Sequence, residues 1–397
     1  MQQKFVVTIP MYVYNTENNL YDHPTRLTSF PQDETCSRLL TSLLRHKPED
    51  SNLDIILLYG RTDEDIENQQ IDRLFIEHFQ KTMPAKDGVT LSLLGADFIT
   101  QLESLAKAGF LEIEISNKRY GNIRNLQLLI QSILRTPYQI NLDDDEIVID
   151  SQFFSVAKEL EDFLATHNEI GGVGGLYVDA KGSPDIVSIS QSVSKEKNLF
   201  KQKEQLMQKL IDLFKQQTLT SVAPTVFGGL TMTTKRIAEQ VCYDSYIPRG
   251  EDIDYLINAQ FKQLSFAMRN DWNILHKPPG KSLGSSHIPT NEKQIRDVQR
   301  FLYEKAKINK LMEVTAIKPE DVYRLLQPYP GPYLEAPFDK LIADGSIYVA
   351  ESELHAFLDK EVAQHLQTFM KMLNSWSQFS KRISNEKKLR ESLMRIV

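Results

Sequence analysis

Three short aliphatic runs, residues 4–9, 53–58 and 89–94, are separated by stretches whose apolar residues recur at helical spacing. Runs of this length rich in Val, Ile and Leu are strands buried on both faces. Pro10 is expected to stop the first strand. Asp33 then caps a helix with one stripe of Cys36, Leu39, Leu40, Leu43 and Leu44. A second amphipathic helix over 63–83 turns Ile66, Ile71, Leu74, Phe75 and Phe79 inward. Strand and helix in this alternation give a parallel sheet with right-handed crossovers. Ligands of such sheets bind beyond the carboxyl ends of the strands.

The loop after Pro10 is polar and aromatic, with Tyr12, Tyr14, Asn15, Tyr21, His23 and Arg26, and has no glycine-rich turn. A dinucleotide fingerprint and a P-loop are thereby both absent. Residues 97–117 read as a helix and a short extended piece, and Tyr120 opens a further helix. Arg124 and Asn125 lie in its first two turns, where the helix dipole disfavours a cation. A nearby anion or carboxylate would account for Arg124; a plain surface arginine is the alternative.

That helix feeds the strand Tyr138–Leu142, which runs into Asp143, Asp144, Asp145 and Glu146. Four adjacent carboxylates repel one another, and desolvating them at the mouth of a sheet requires a counter-charge. Mg²⁺ is held in this way, by one or two carboxylates and the oxygens of a substrate diphosphate. The competing reading is a solvated acidic turn capping the next helix, over 152–167, although Asp150 or Ser151 caps that helix better.

Paired glycines follow twice. Gly171, Gly172, Gly174 and Gly175 lie in a strand from 169 to 179, and Gly228 and Gly229 in a strand from 226 to 235. Such pairs mark a bulge or close approach of a backbone or ligand. Residues 195–217 read as an inserted outer helix. Glu251 and Asp252 open a helix, where acidic residues are the ordinary dipole partners. Strand pieces 265–269 and 272–276 end at His276, a position that alone suits a packed histidine. Residues 280–289 have the composition of a mobile lid, with Lys277 or Lys281 placed to meet phosphate oxygens. Helices dominate from Thr290 onward: a short one starts at Pro319, a rigid aromatic loop spans 327–333, and a long helix runs from Glu351 to Ser380 with an exposed basic tail.

A net charge of −7 argues against an extended track for nucleic acid. No apolar run reaches transmembrane length, no leader is visible, and two cysteines make neither a disulfide framework nor a zinc site. A cytoplasmic protein is expected. At 397 residues the chain accommodates one large domain with an appendage, or two domains.

The order of Val-Val-Thr-Ile-Pro, Arg124-Asn125, Leu-Asp-Asp-Asp-Glu, Phe-Gly-Gly-Leu-Thr-Met-Thr, Arg-Gly-Glu-Asp-Ile-Asp and a late His resembles nucleotide-sugar-dependent glycosyltransferases of the A-type fold, in the broad family 2-like group. The resemblance covers about residues 4–280 and implies an α/β, Rossmann-like domain with a mixed, mostly parallel sheet, set at 1–282. Residues 283–397, which carry none of its motifs, read from their own pattern as a helical C-terminal extension. The resemblance implies metal-dependent transfer of a hexose from a nucleotide-diphosphate sugar, UDP favoured, to a carbohydrate or other hydroxyl acceptor. Asp143 and Asp145 match the family's Asp-x-Asp motif. Asp143 would face ribose or metal, and Asp145 would bind Mn²⁺ or Mg²⁺, with Asp144 between them and Glu146 an extra acid. Gly228 and Gly229 would lie against the donor sugar or acceptor. Glu251 and Asp252 match the general-base or acceptor-binding pair, and His276 a metal ligand, with His287 a weaker candidate. Histidine beside carboxylate favours Mn²⁺. The signature of processive synthases, Gln-x-x-Arg-Trp, is missing, so single addition is expected. The helical C-terminal part offers a surface for a homodimer. A sugar nucleotidyltransferase and a silent nucleotide-sugar-binding protein are the rival readings.

Overall fold

The computed structural model describes residues 3–16, 21, 24–62, 66–179, 212, 214, 216, 218–220, 222, 223, 225–247, 249–277, 290–318 and 361–397. Outside them lie His23, most of the expected outer helix over 195–217, the expected lid with Lys281 and His287, the Pro319 helix, the aromatic loop, and the start of the long C-terminal helix.

The elements run β1 (Gln3–Tyr14), β2 (Thr25–Arg26), α1 (Cys36–His46), β3 (Ser51–Arg61), α2 (Asn68–Thr82), β4 (Val89–Leu93), α3 (Ala96–Lys107), α4 (Tyr120–Leu134), β5 (Tyr138–Leu142) and β6 (Glu146–Ile147). After them come α5 (Phe153–Thr166), β7 (Ile170–Val178), β8 (Leu219–Thr220), β9 (Leu230–Thr234), α6 (Lys235–Gln240), α7 (Glu251–Gln260) and β10 (Ser265–His276). The C-terminal part adds α8 (Thr290–Val314), α9 (Ala363–Ser384), α10 (Lys387–Glu391) and β11 (Met394–Arg395).

One mixed sheet holds all the described strands, in the order β11-β4-β3-β1-β5-β9-β7-β10-β6, with β2 beside β1 and β8 beside β10. The run β4-β3-β1-β5 is parallel, as the alternation of strands and helices requires. Strand β9 then enters antiparallel to both its neighbours. Successive side chains of a strand point to opposite faces. Phe5, Val7, Ile9, Met11 and Val13 of β1 accordingly join a core with α1, α2 and α5. Val6 and Tyr12 join a second core on the other face, with α3, α4, α6, α7 and α9.

Pro10 does not end β1. Pairing with β3 continues unbroken through Pro10 to Val13, whereas β5 pairs only at Val7 and Thr8. Beyond Thr8 one side of β1 has left the β5 ladder, and a residue without an N–H is tolerated there. The expected exposed basic tail is also corrected: Leu389 and Ile396 are buried, and Met394 and Arg395 pair antiparallel with β4 at the sheet's edge. Trp376 on α9 is fully buried and donates its indole N–H to the carbonyl of Ala238 at 2.8 Å. Phe369, Met372, Leu373, Phe379 and Ile383 pack into the same core as α4. The C-terminal residues from 363 onward thus share a core with the residues before 283, and the apolar face of α9 is covered within the chain. Among the described residues no helix is long and apolar enough to cross a membrane.

Helix α8 is held by a buried charge. Lys307 has no exposed surface, and its Nζ lies 2.8 Å from Asp244 and 2.6 Å from Asp254. The Tyr303 hydroxyl donates to Asp244 at 2.8 Å. Removing one partner of a buried ion pair leaves an uncompensated charge and costs about 3–5 kcal/mol. Lys307→Ala is expected to lower the urea midpoint accordingly, and Lys307→Ala/Asp254→Asn to recover part of the loss. A single variant with a wild-type midpoint would show that α8 is not held in this way.

Candidate active site

The four acidic residues after β5 lie close enough to act on one another, yet they meet different groups. Asp143 meets Arg124, with Nη1 at 2.9 Å from Oδ1 and Nη2 donating to Oδ2 at 3.2 Å. Asp144 is buried and accepts the hydroxyl of Thr35, the residue ahead of α1. Burial and the neighbouring Asp145 push its carboxyl well above the usual range. Asp33, expected to cap α1, is replaced in that place by Thr35, which makes no side-chain cap. Glu146 has no exposed surface and no well-formed hydrogen bond to either oxygen. Burial, with the charges of Asp143 and Asp145, raises its carboxyl as well.

Asp145 alone turns to His276. Strand β6 pairs antiparallel with the end of β10, setting Glu146 against His276. The Lys277 N–H donates to the Asp145 carbonyl at 2.9 Å, and His276 Nε2 lies 3.4 Å from Asp145 Oδ2. The imidazole is stacked on the Tyr177 ring at 5.0 Å and 17°. The Tyr177 hydroxyl in turn accepts the Gly229 N–H at 2.7 Å.

Gly228 and Gly229 belong to the turn before β9, which starts only at Leu230, not to a strand. A Cβ on Gly229 would fall 2.2 Å from Glu146 Oε1 and 2.3 Å from the Tyr177 hydroxyl, so only glycine fits. The glycines of β7 do meet a neighbouring backbone: a Cβ on Gly175 would lie 2.3 Å from the carbonyl oxygen of Trp272, where β10 is irregular.

Arg124 joins the turn to α7. Its Nε donates to Glu251 Oε1 at 3.2 Å and its Nη1 to Gln127 Oε1 at 3.2 Å. A cation early in α4 is thus explained by two carboxylates. Asn125 does not reach the cavity: its amide brackets Tyr243, donating to the carbonyl at 2.9 Å and accepting the N–H at 2.7 Å. Asp252 is half-buried, accepting from Gly228 N–H at 3.2 Å through Oδ2 and from Ile253 N–H at 2.9 Å through Oδ1. Gly250 caps α7 at φ 70°, the left-handed conformation that glycine adopts freely.

These groups wall one cavity of about 350 Å³. Asp143, Asp144, Asp145 and His276 face Gly228, Glu251 and Asp252 across it, with Arg124 between. Tyr12, Tyr120, Tyr177, Arg249, Gly250 and Arg300 complete the lining. No motif or spacing in the sequence singles out Tyr12, Tyr120, Tyr177 or Arg300, although the tyrosines stand in stretches that it marks, whereas Arg249 opens the Arg-Gly-Glu-Asp-Ile-Asp motif. The buried Tyr12 hydroxyl has no hydrogen-bond partner, a polar atom left for a ligand.

Among the described residues, no three His, Cys, Asp or Glu side chains are grouped to hold a metal on protein ligands alone. Asp145 and His276 fit the lesser requirement of a cation that draws its other ligands from phosphate oxygens. Asp143, expected to face ribose or metal, is ion-paired with Arg124 and lines the same cavity.

Glu251 titrates within the physiological range. Burial pushes its carboxyl up to about 7 from an ordinary 4.5, Arg124 opposing the rise and Asp252 adding to it. The folded chain therefore holds a proton that the unfolded chain releases. This contribution to stability is complete below pH 4.5 and is lost as pH rises through about 7. Glu251→Gln removes the titration, so the stability of wild type relative to the variant is expected to fall across that window. Urea midpoints taken across it measure the difference. Parallel curves would place the Glu251 pKa near its ordinary value.

No family model matches the chain, and no curated protein matches it. Several solved structures do. A mannosyltransferase from Pyrobaculum calidifontis, in complex with GDP-Man and Mn²⁺, is 12% identical, with 98% of this chain and 87% of that chain covered and a TM-score of 0.42. TarS 1–349 of S. aureus is 11% identical, with 98% and 91% covered and a TM-score of 0.41. Glucosyl-3-phosphoglycerate synthase from Mycobacterium tuberculosis, in complex with Mn²⁺, UDP and phosphoglyceric acid, is 14% identical, with 79% and 80% covered and a TM-score of 0.36.

Proposed function

We propose that the chain is a metal-dependent glycosyltransferase that moves a hexose from a nucleotide-diphosphate sugar, UDP favoured, to a hydroxyl acceptor in single additions. The observation that carries this reading is the Asp145–His276 pair on the same cavity as Asp252. Asp145 and His276 would hold Mn²⁺ or Mg²⁺, which when bound supplies positive charge to the leaving diphosphate. Asp252 takes the proton of the attacking hydroxyl; it is the carboxylate of α7 left without a cationic partner in the Arg124 chain. Glu251 and Asp143 hold Arg124 from two sides, which fixes the turn after β5 relative to the start of α7. The buried, unpartnered Tyr12 hydroxyl is a donor or acceptor for the bound donor substrate.

Titration calorimetry with UDP, with and without Mn²⁺, followed by a screen of nucleotide sugars for metal-dependent hydrolysis, tests this. Metal-dependent UDP binding and hydrolysis of one sugar donor are expected. Binding without hydrolysis of any donor would make the chain a silent nucleotide-sugar-binding protein, and no UDP binding in either condition would remove the reading.

A further inference from the structure

Tyr177 stands on β7 past Gly174, the last residue paired with β9, and in register with Ile274 of the parallel strand β10. Paired residues share a face of a sheet, and so do residues two apart along a strand. Tyr177 and His276 are therefore diagonal neighbours on one face, and their rings stack at 5.0 Å and 17°. Phe227 lies against the same tyrosine ring at 5.1 Å. The imidazole that stands 3.4 Å from Asp145 Oδ2 thus rests on an aromatic plane that is itself packed against the core. The hydroxyl acts on a different segment. It accepts the Gly229 N–H at 2.7 Å, while the N–H of the preceding Gly228 is donated to Asp252 Oδ2 at 3.2 Å. Phenylalanine would serve the stacking and leucine the burial; tyrosine adds an acceptor for the glycine turn. One unbroken line of contacts runs from Asp252 through Gly228, Gly229, Tyr177 and His276 to Asp145.

We propose that Tyr177 is a positioning residue: its ring sets the His276 imidazole for a divalent cation, and its hydroxyl fixes the glycine turn that holds Asp252. The inference rests on the transferase reading of the cavity. Groups that orient a ligating histidine are worth about 10–100-fold in metal affinity. Misplacing a catalytic group by about 1 Å costs about 10²-fold in rate. A single side chain acting on both keeps the cation and the base at a constant separation, whichever substrate lies between them.

The test titrates UDP into the protein with and without Mn²⁺ and reads the factor by which Mn²⁺ tightens UDP binding. Tyr177→Leu removes ring and hydroxyl and is expected to cut that factor by at least about tenfold; Tyr177→Phe keeps the ring and is expected to change it by no more than about twofold. In a His276→Ala background, Tyr177→Leu is expected to add no further loss, because the ring acts through the imidazole. The hydroxyl is read on the turn. Tyr177→Phe is expected to speed hydrogen exchange over residues 226–229 and to lower turnover of the nucleotide sugar that the wild type hydrolyses by at least about tenfold. Should Tyr177→Leu not fold, Tyr177→Met, which fills the space without a plane, takes its place. The inference is overturned if Tyr177→Leu keeps the wild-type factor, if Tyr177→Phe loses it equally, if the losses add in the double variant, or if Tyr177→Phe leaves exchange or turnover unchanged. Should the wild type hydrolyse no nucleotide sugar, the transferase reading fails, while the Mn²⁺ factor and the exchange still decide the role of Tyr177. Should Mn²⁺ not tighten UDP binding to the wild type, both fail together.

Discussion

Asp145→Ala is expected to leave the fold intact and to slow metal-dependent turnover of nucleotide sugar by at least about 10³-fold, since charge stabilisation by a bound metal is worth several kcal/mol. The fold should survive for a local reason. What Asp145 gives to the structure is its backbone carbonyl, which accepts from Lys277, and alanine keeps it. Its carboxylate meanwhile adds to the unfavourable field on Asp144 and Glu146, so deletion relieves two buried acids. Calorimetry should show that UDP binding no longer responds to Mn²⁺. A folded Asp145→Ala protein with wild-type turnover would falsify the metal-site reading, whatever happens at His276.

The second large effect is expected at Asp252. General-base catalysis contributes about 10²–10⁴-fold, and Asp252→Asn should lower turnover by at least the lower figure with donor affinity little changed. The structure adds a complication. Both Asp252 oxygens accept backbone N–H groups, from Gly228 and Ile253, whereas an asparagine offers a single acceptor. One of those hydrogen bonds is therefore lost, a stability decrease of about 0.5–1.5 kcal/mol that a urea midpoint reads separately from turnover. If turnover persists and acceptor affinity falls instead, Asp252 anchors the acceptor and a retaining mechanism follows.

Much of this architecture was legible in the chain. Residues in buried parallel strands and amphipathic helices interact with whole faces of the protein, so periodicity reports them directly; β3, β4, α1, α2 and α5 lie where it places them, and β1 starts there. The acidic turn, Arg124, the Gly-Gly pair, the Glu-Asp pair and His276 stand out in the sequence because chemistry restricts which residue types serve there. The structure brings members of each of these groups onto one cavity, while Asn125 turns away from it and Lys281 lies outside the described residues. Pro10 misled because a proline stops a strand only where its missing N–H would have a partner, and that depends on which neighbour is present.

The residue types of four adjacent carboxylates do not say which groups each will meet. Whether they share a cation or find separate partners depends on groups 19 to 131 positions away, and local pattern carries no information at that range: Arg124 and Thr35 for two of them, His276 for a third, and burial for Glu146. The polar layer beneath α4 was equally hidden. Thr8, Gln127, Gln139 and Asn141 sit in stretches that read as strand or helix, yet they close a buried hydrogen-bond network that sets the helix bearing Arg124 on β5. The sequence by itself determined the layers, because burial of a face repeats along the chain. Only the tertiary structure decided the pairing of charges and the entry of Arg300 from α8, because each is a single contact between distant segments, and a single contact leaves no period to read.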